Sequence, residues 1–110
     1  MDCIFCKIIN NEIPTKKIYE DDNYLAFFDI EPQMETHLLI IPKNHIESFH
    51  KTLPDQKEIV KWTLDIARKL IEKYNLKWCR LIMNSWWDHG QFVFHIHLHL
   101  MSHTVINFEL

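Results

Sequence analysis

The chain has 110 residues, 47% of them apolar, and a formal net charge of −3. This length suits one domain, predicted here to span residues 1–110, with a single core. The acidic balance offers no basic patch for binding nucleic acid through its phosphates. No apolar run reaches the roughly 18–20 residues that cross a bilayer, and the amino terminus lacks a signal-peptide pattern. We therefore expect a soluble, cytoplasmic protein without membrane contact.

The first half of the chain is predicted to form a short helix and three strands. Residues 3–10 favour an amphipathic turn of helix. Residues 17–20 and 24–30 are β-branched and aromatic, and the polar run between them favours a turn, so the two segments predict a hairpin. Residues 37–41 are apolar after the histidine, which predicts a strand covered on both faces.

The second half is predicted to form one long helix and two more strands. A capping box at Thr52-Leu53-Pro54-Asp55 begins a helix that ends near Tyr74, before Asn75 as a stop. Strands are expected over residues 78–83 and 94–101. The fold class is therefore α+β, with a mainly antiparallel sheet of about five strands, one long helix and a short amino-terminal helix. The buried face of the long helix is predicted to contain Ile59, Trp62 or Thr63, Ile66, Leu70 and Tyr74.

The last predicted strand carries three evenly spaced histidines. Alternation with period two would turn His95, His97 and His99 to one face, about 6–7 Å apart. The other face would then be apolar and face the core, through Phe94, Ile96, Leu98 and Leu100. Such a row can supply a nucleophilic imidazole with a neighbour that contacts a phosphoryl group. It can also supply metal ligands, or be a solvated strand face.

Cys3 and Cys6 have the Cys-x-x-Cys spacing of a metal clip or a redox pair. One tetrahedral zinc ion would need two further ligands from elsewhere in the chain. The alternative is that both cysteines are small apolar residues on a helix.

The segment from His95 to Met101 resembles the motif of the histidine-triad (HIT) family of nucleotide hydrolases and transferases. Further landmarks of that family occur in the family's order over residues 3–101, and the Cys-x-x-Cys start is similar to the Hint branch. The landmarks are Cys-Ile-Phe-Cys-Lys-Ile-Ile, Ile-Pro at 13–14, Tyr-Glu-Asp-Asp at 19–22, Leu-Ala-Phe-Phe-Asp-Ile at 25–30 and Ile-Pro-Lys-Asn-His-Ile at 41–46.

The resemblance implies a purine nucleoside phosphoramidase or nucleotide hydrolase that acts on AMP-type substrates. His97 matches the nucleophile that forms a covalent nucleotidyl intermediate, His99 a phosphate contact, and His37 a histidine that supports the triad. Asp29 matches the carboxylate that accepts the ribose hydroxyls. The other implied nucleotide-binding residues are Ile4, Phe5, Phe27, Ile30, Asn84, Gln91, Phe92 and Val93.

The resemblance also implies a structural zinc ion bound by Cys3, Cys6, His45 and His95, and a homodimer formed through the long helix and the strand after it. Trp62, Ile66, Leu70 and Trp78 supply large apolar side chains there. One departure is Phe92, where the family has a hydroxyl donor to the phosphate. Losing that hydrogen bond would cost roughly 1.5–3 kcal/mol, so the alternative is a purine-nucleotide-binding protein with weak catalysis. The adjacent Trp86 and Trp87 could stack on the leaving group or pack at the dimer surface.

Overall fold

The computed structural model describes residues 3–85 and 93–106. Its sheet has five strands in the order β1-β2-β3-β5-β4, and every neighbouring pair is antiparallel. This architecture confirms the predicted α+β class. The elements are α1 (Ile4–Ile9), β1 (Lys17–Glu20), β2 (Tyr24–Phe28), β3 (Thr36–Pro42), α2 (Lys57–Tyr74), β4 (Arg80–Ile82) and β5 (Leu98–Ser102), with 3-10 turns at Phe49–Lys51 and Pro54–Gln56.

The central strand β3 is buried along its whole length, as its apolar sequence predicted. Leu38 and Ile40 pack with α2 on one face of the sheet, whereas Leu39 and Ile41 pack with α1 on the other. Because side chains alternate along a strand, a strand between two covered faces must be apolar at every position. Only His37 and Thr36 interrupt this pattern, and both are buried.

Helix α2 begins later than the sequence indicated and ends where it indicated. The chain first makes a 3-10 turn, in which the backbone N–H of Leu53 donates to Gln56 Oε1 at 2.9 Å. The capping box therefore lies at residues 53–56, and the prediction of residues 52–55 was wrong by one residue. Asn75 ends the helix in the left-handed conformation (φ 53°), as predicted for a helix stop. The helix buries Thr63, Ile66, Ala67 and Leu70 against the sheet.

The fourth and fifth strands are shorter than predicted. Trp78 has φ 53° and a side chain that is 88% exposed, so it precedes β4 and does not begin it. Phe94 is 51% exposed and does not face the core, although Ile96, Leu98 and Leu100 are buried as expected.

The fifth strand begins only at Leu98, because the residues before it form hydrogen bonds other than backbone-to-backbone pairs with a neighbouring strand. The backbone N–H of Ile96 donates to the Ile46 carbonyl at 2.6 Å, and the carbonyl of Pro42 accepts from the His95 ring at 2.8 Å. Side-chain and loop hydrogen bonds thus replace strand pairing there.

None of the described helices combines the length and the apolar character that crossing a membrane would require.

Candidate active site and metal centre

A pocket of about 380 Å³ opens on the α1 face of the sheet. Its walls are mostly apolar, and its polar groups come together at one side, which is typical of a small-molecule site. The lining includes most of the residues implied as nucleotide-binding, namely Ile4, Phe5, Phe27, Asp29, Ile30, Val93, His97 and His99. Ile13, Pro14 and Thr15 also line it. They were not assigned to the site from the sequence, although the Ile-Pro pair had been noted as a landmark.

His97 lies in this pocket with its ring orientation set by two contacts. Its Nδ1 lies 2.8 Å from the carbonyl oxygen of His95, so Nδ1 carries the hydrogen and donates. The edge of the ring meets Phe5, with ring centres 5.1 Å apart at 83°. Burial lowers the pKa of His97, which keeps the ring neutral at pH 7. A neutral ring that is protonated at Nδ1 has its free lone pair at Nε2, the form required of a nucleophile.

His99 and His37 form a second pair beside His97. His99 Nδ1 lies 2.9 Å from His37 Nε2, and the latter atom lies 3.4 Å from Asp29 Oδ2. Burial lowers the pKa of His99 to about 4 and also lowers that of His37. Both rings are therefore neutral at pH 7. The ring centres of His97 and His99 are 5.0 Å apart, so two imidazoles face one small region of the pocket.

The two cysteines lie beside two histidines, and the four side chains form one cluster. The ligand atoms of Cys3, Cys6, His45 and His95 all lie within 4.8 Å of one another. The Nδ1 atoms of His45 and His95 are 3.2 Å apart, and Cys6 Sγ lies 3.3 Å from His45 Nδ1. His95 Nδ1 lies 3.4 Å from Cys3 Sγ and 3.6 Å from Cys6 Sγ. Tetrahedral zinc bonds of about 2.0–2.3 Å would separate neighbouring ligand atoms by roughly 3.3–3.8 Å.

The protonation of the cluster also suits a cation. His95 donates from Nε2 to the Pro42 carbonyl at 2.8 Å, which leaves the lone pair of Nδ1 facing the sulfurs. Burial and the neighbouring Cys3 raise the pKa of Cys6 to about 11, so thiolates form here only with a positive charge to balance them. The residues therefore fit a Cys₂His₂ zinc site, which would stabilise the fold and leave no open coordination position.

His95 therefore does not stand in one row with His97 and His99. Its ring lies in the Cys/His cluster, while its carbonyl orients the ring of His97. The three-residue row expected from strand alternation was wrong, because the strand begins after His97.

The structure does not assign every implied residue to the pocket. Asn84 is not among the described residues that line it, so its role remains a prediction. Gln91, Phe92, Trp86 and Trp87 fall outside the described residues.

A larger groove of about 760 Å³ lies against α2 and the ends of β2 and β3. None of the described histidines lines it, so it is not the candidate active site.

Comparisons with known proteins agree with the geometry. Residues 10–105 match the HIT domain family. A HIT family hydrolase from Legionella pneumophila is 45% identical, with 94% of each chain covered and a TM-score of 0.88. The purine nucleoside phosphoramidase of Escherichia coli is 39% identical over 103 residues, which cover 92% of this chain and 87% of that protein. A zinc-bound histidine triad family protein from Mycobacterium smegmatis is 31% identical, with 94% of this chain and 76% of that chain covered and a TM-score of 0.83.

The fold and the site define a small antiparallel-sheet protein whose histidines serve an apolar pocket on one face and a Cys/His cluster next to it. The chain belongs to the HIT family. Its similarity to a HIT family hydrolase and to a purine nucleoside phosphoramidase supports a hydrolase in general terms.

Proposed function

We propose that this protein is a purine nucleoside phosphoramidase, or a closely related nucleotide hydrolase, that transfers AMP to His97 and then to water. The observation that carries the proposal is the 2.8 Å contact between His97 Nδ1 and the His95 carbonyl. Because Nδ1 carries the hydrogen, the ring lone pair of neutral His97 lies on Nε2, inside the pocket. The proposal agrees with the name of the Escherichia coli relative.

The pocket offers separate places for the parts of an AMP-type substrate. Phe5 and Phe27 meet edge to face at 5.6 Å and provide an apolar wall for a purine base. Asp29 directly follows β2, and its carboxylate can accept hydrogen bonds from ribose hydroxyls. His97 and His99 lie at the polar end, where the phosphate would bind.

The reaction would proceed in two displacements. The Nε2 lone pair of His97 forms a bond to phosphorus, the phosphorus–nitrogen bond of the substrate breaks, and the leaving amine takes up a proton from solvent water as it departs. A water molecule then attacks phosphorus and gives up a proton to the solvent, the bond to Nε2 breaks, and AMP is released. Splitting one displacement into two lowers the barrier of each, and the His95 carbonyl stabilises the positive charge that His97 gains in the first.

A structural zinc ion, held by Cys3, Cys6, His45 and His95, is part of this proposal. It would hold α1 against the segment after β3 and the segment before β5, and take no part in the displacement. The three described cysteines are free thiols, which suits a reducing, cytoplasmic location.

The test is to trap the intermediate. The protein is mixed with an adenosine phosphoramidate carrying a labelled phosphate, denatured in alkali within one turnover, and digested for mass spectrometry. We expect release of AMP and an AMP adduct on the peptide that contains His97, because phosphohistidine bonds survive alkali. Binding of AMP without release or adduct would favour the alternative, a nucleotide-binding protein with weak catalysis.

A further inference from the structure

The buried histidine behind the pocket has a hydrogen-bond partner that the sequence did not indicate. The backbone N–H of Gln33 donates to His37 Nδ1 at 3.1 Å. His37 is only 2% exposed, so water cannot take the place of this donor. The side chain of Gln33 is exposed and takes no part in the contact.

A backbone amide can only donate, and this fact determines the hydrogen position on His37. A hydrogen on Nδ1 would face the Gln33 N–H at 3.1 Å, with two donors and no acceptor. The neutral ring therefore carries its hydrogen on Nε2. The doubly protonated ring would meet the same conflict at Nδ1, and burial also disfavours its charge.

The hydrogen position on His37 also determines the hydrogen position on His99. His37 Nε2–H points to His99 Nδ1 at 2.9 Å, so His99 must accept there. Asp29 Oδ2, at 3.4 Å, is a weaker second acceptor for this hydrogen. A neutral His99 that accepts at Nδ1 carries its own hydrogen on Nε2.

We propose that the backbone N–H of Gln33 acts through His37 to fix the tautomer of His99, so that His99 presents an N–H donor to the substrate phosphate. Gln33 is thus a positioning residue for the reaction, and the last part of the inference rests on the proposed function. In the opposite tautomer, the lone pair of His99 Nε2 would face the lone pairs of the phosphoryl oxygens.

The hydrogen on His37 Nε2 also affects whether Asp29, His37 and His99 can bind a cation. The ligand atoms of these three residues lie close enough to surround one. Binding a cation there requires the lone pair of His37 Nε2. The Gln33 donor places that lone pair at Nδ1, which disfavours metal binding at the phosphate side of the pocket.

The direct test uses the free wild-type protein labelled with nitrogen-15. NMR should show through-hydrogen-bond coupling from the Gln33 amide nitrogen to His37 Nδ1, and from His37 Nε2 to His99 Nδ1. The imidazole shifts should identify Nε2 as the protonated nitrogen in both rings. A protonated Nδ1 on either ring would overturn the proposal. This readout involves no substrate, so it stands or falls separately from the phosphoramidase assignment.

A pair of variants isolates the backbone donor. Gln33→Pro removes the N–H, whereas Gln33→Ala removes the exposed side chain and keeps the N–H. We expect the His99 nitrogen shifts to move toward the mixed-tautomer range only in the proline variant. Its kcat for AMP release should fall about 10- to 100-fold, with a smaller change in KM, as for loss of one hydrogen bond to a charged group. A folded proline variant with unchanged His99 shifts would refute the proposal, and if that variant does not fold, the wild-type couplings decide.

Discussion

The two ring nitrogens of His97 have different surroundings. Nδ1 donates to the His95 carbonyl, whereas no hydrogen bond from Nε2 to another described residue is assigned. A lone pair on Nε2 that can meet a substrate is what a nucleophile requires.

His97→Ala should abolish turnover, because no other described imidazole shares its position and orientation. Binding of AMP should stay within about tenfold, since Phe27 and Asp29, the proposed base and ribose contacts, remain in the pocket. Steady-state AMP release and calorimetric AMP binding would measure the two effects. His103→Ala is a suitable control, because that histidine is exposed and pairs with Glu35. Full activity in His97→Ala would refute the covalent mechanism as assigned.

The low pKa of His99 predicts how stability depends on pH. Burial lowers this pKa from 6.5 to about 4 in the folded protein, so between these values the unfolded chain binds more protons. The free energy of unfolding must therefore fall as the pH drops from about 6.5 to about 4. One such proton contributes at most about 1.4 kcal/mol per pH unit. His37, whose pKa is also lowered, acts in the same direction.

Urea unfolding at pH 7, 6 and 5 would measure this slope in the wild type and in His99→Gln, which cannot titrate. The variant should be less stable at pH 7 but lose less stability on acidification. Equal slopes in the two proteins would show that His99 does not titrate as described.

At the scale of the element, the end of α2 depends on one residue with an unusual backbone. Asn75 adopts φ 53° and ψ 46°, and the backbone N–H of Leu76 closes the helix onto the Ile71 carbonyl at 3.0 Å. Asparagine and glycine tolerate this left-handed conformation, whereas a β-branched residue does not.

Asn75→Val should therefore lower the free energy of unfolding by about 1–2 kcal/mol, and Asn75→Gly should change it little. Glu72→Val, at an exposed position inside the helix, measures the cost of a β-branched side chain without the left-handed requirement. Urea denaturation of the three variants gives the comparison. If the two valine variants lose the same stability, the backbone conformation at Asn75 is not the cause.

At the scale of the whole molecule, the Cys/His cluster joins segments that are distant in sequence. Cys3 contacts the ring of His95 across 92 positions, and Cys6 contacts His45 across 39. A metal ion bound there would hold α1, the segment after β3 and the segment before β5 together. Its loss should therefore weaken both the fold and the orientation of His97.

Elemental analysis of protein purified without chelators should find close to one zinc ion per chain, and Cys3→Ala should lose it together with several degrees of melting temperature. Cys79→Ala is the matched control, because Cys79 is a free thiol outside the cluster. A folded wild-type chain without bound metal would contradict the zinc assignment.

The edge of the sheet at β4 is relevant to whether two copies of the chain form a dimer. Strand β4 lies at the edge of the described sheet, and both Leu81 on it and Trp78 before it are exposed, at 44% and 88%. An apolar sheet edge that none of the described strands covers favours association with a second copy. Ile66 and Leu70, by contrast, are buried within the chain and cannot form the dimer surface as the sequence had suggested.

We predict a homodimer at micromolar concentration that Leu81→Glu dissociates. Trp62→Glu tests whether the helix takes part, since Trp62 is 49% exposed on α2. Val105→Glu, at another exposed apolar position, serves as the control. Analytical ultracentrifugation measures all four proteins. A wild type that sediments as a 13.4 kDa monomer at high concentration would disprove the prediction.

Local patterns determined much of this protein in advance. The continuous apolar run after His37 in 37–41 predicted a strand with both faces covered, helical spacing predicted α2, and Asn75 predicted its end. These features depend on neighbours within a few residues, because period and propensity are local properties of the chain. The Cys-x-x-Cys spacing indicated a metal clip or a redox pair, and it did not identify His45 or His95 as the neighbours of the two cysteines.

The tertiary structure decided where each histidine ring lies, which the spacing of the histidines does not specify. Spacing alone treated His95, His97 and His99 as equivalent, yet the first ring donates to the Pro42 carbonyl and lies in the Cys/His cluster, and the third pairs with His37. The donor from Gln33 was not foreseeable, because any residue except proline offers the same backbone N–H. These contacts join segments up to 92 positions apart, and their choice depends on strand register and side-chain rotation, which a sequence pattern does not specify.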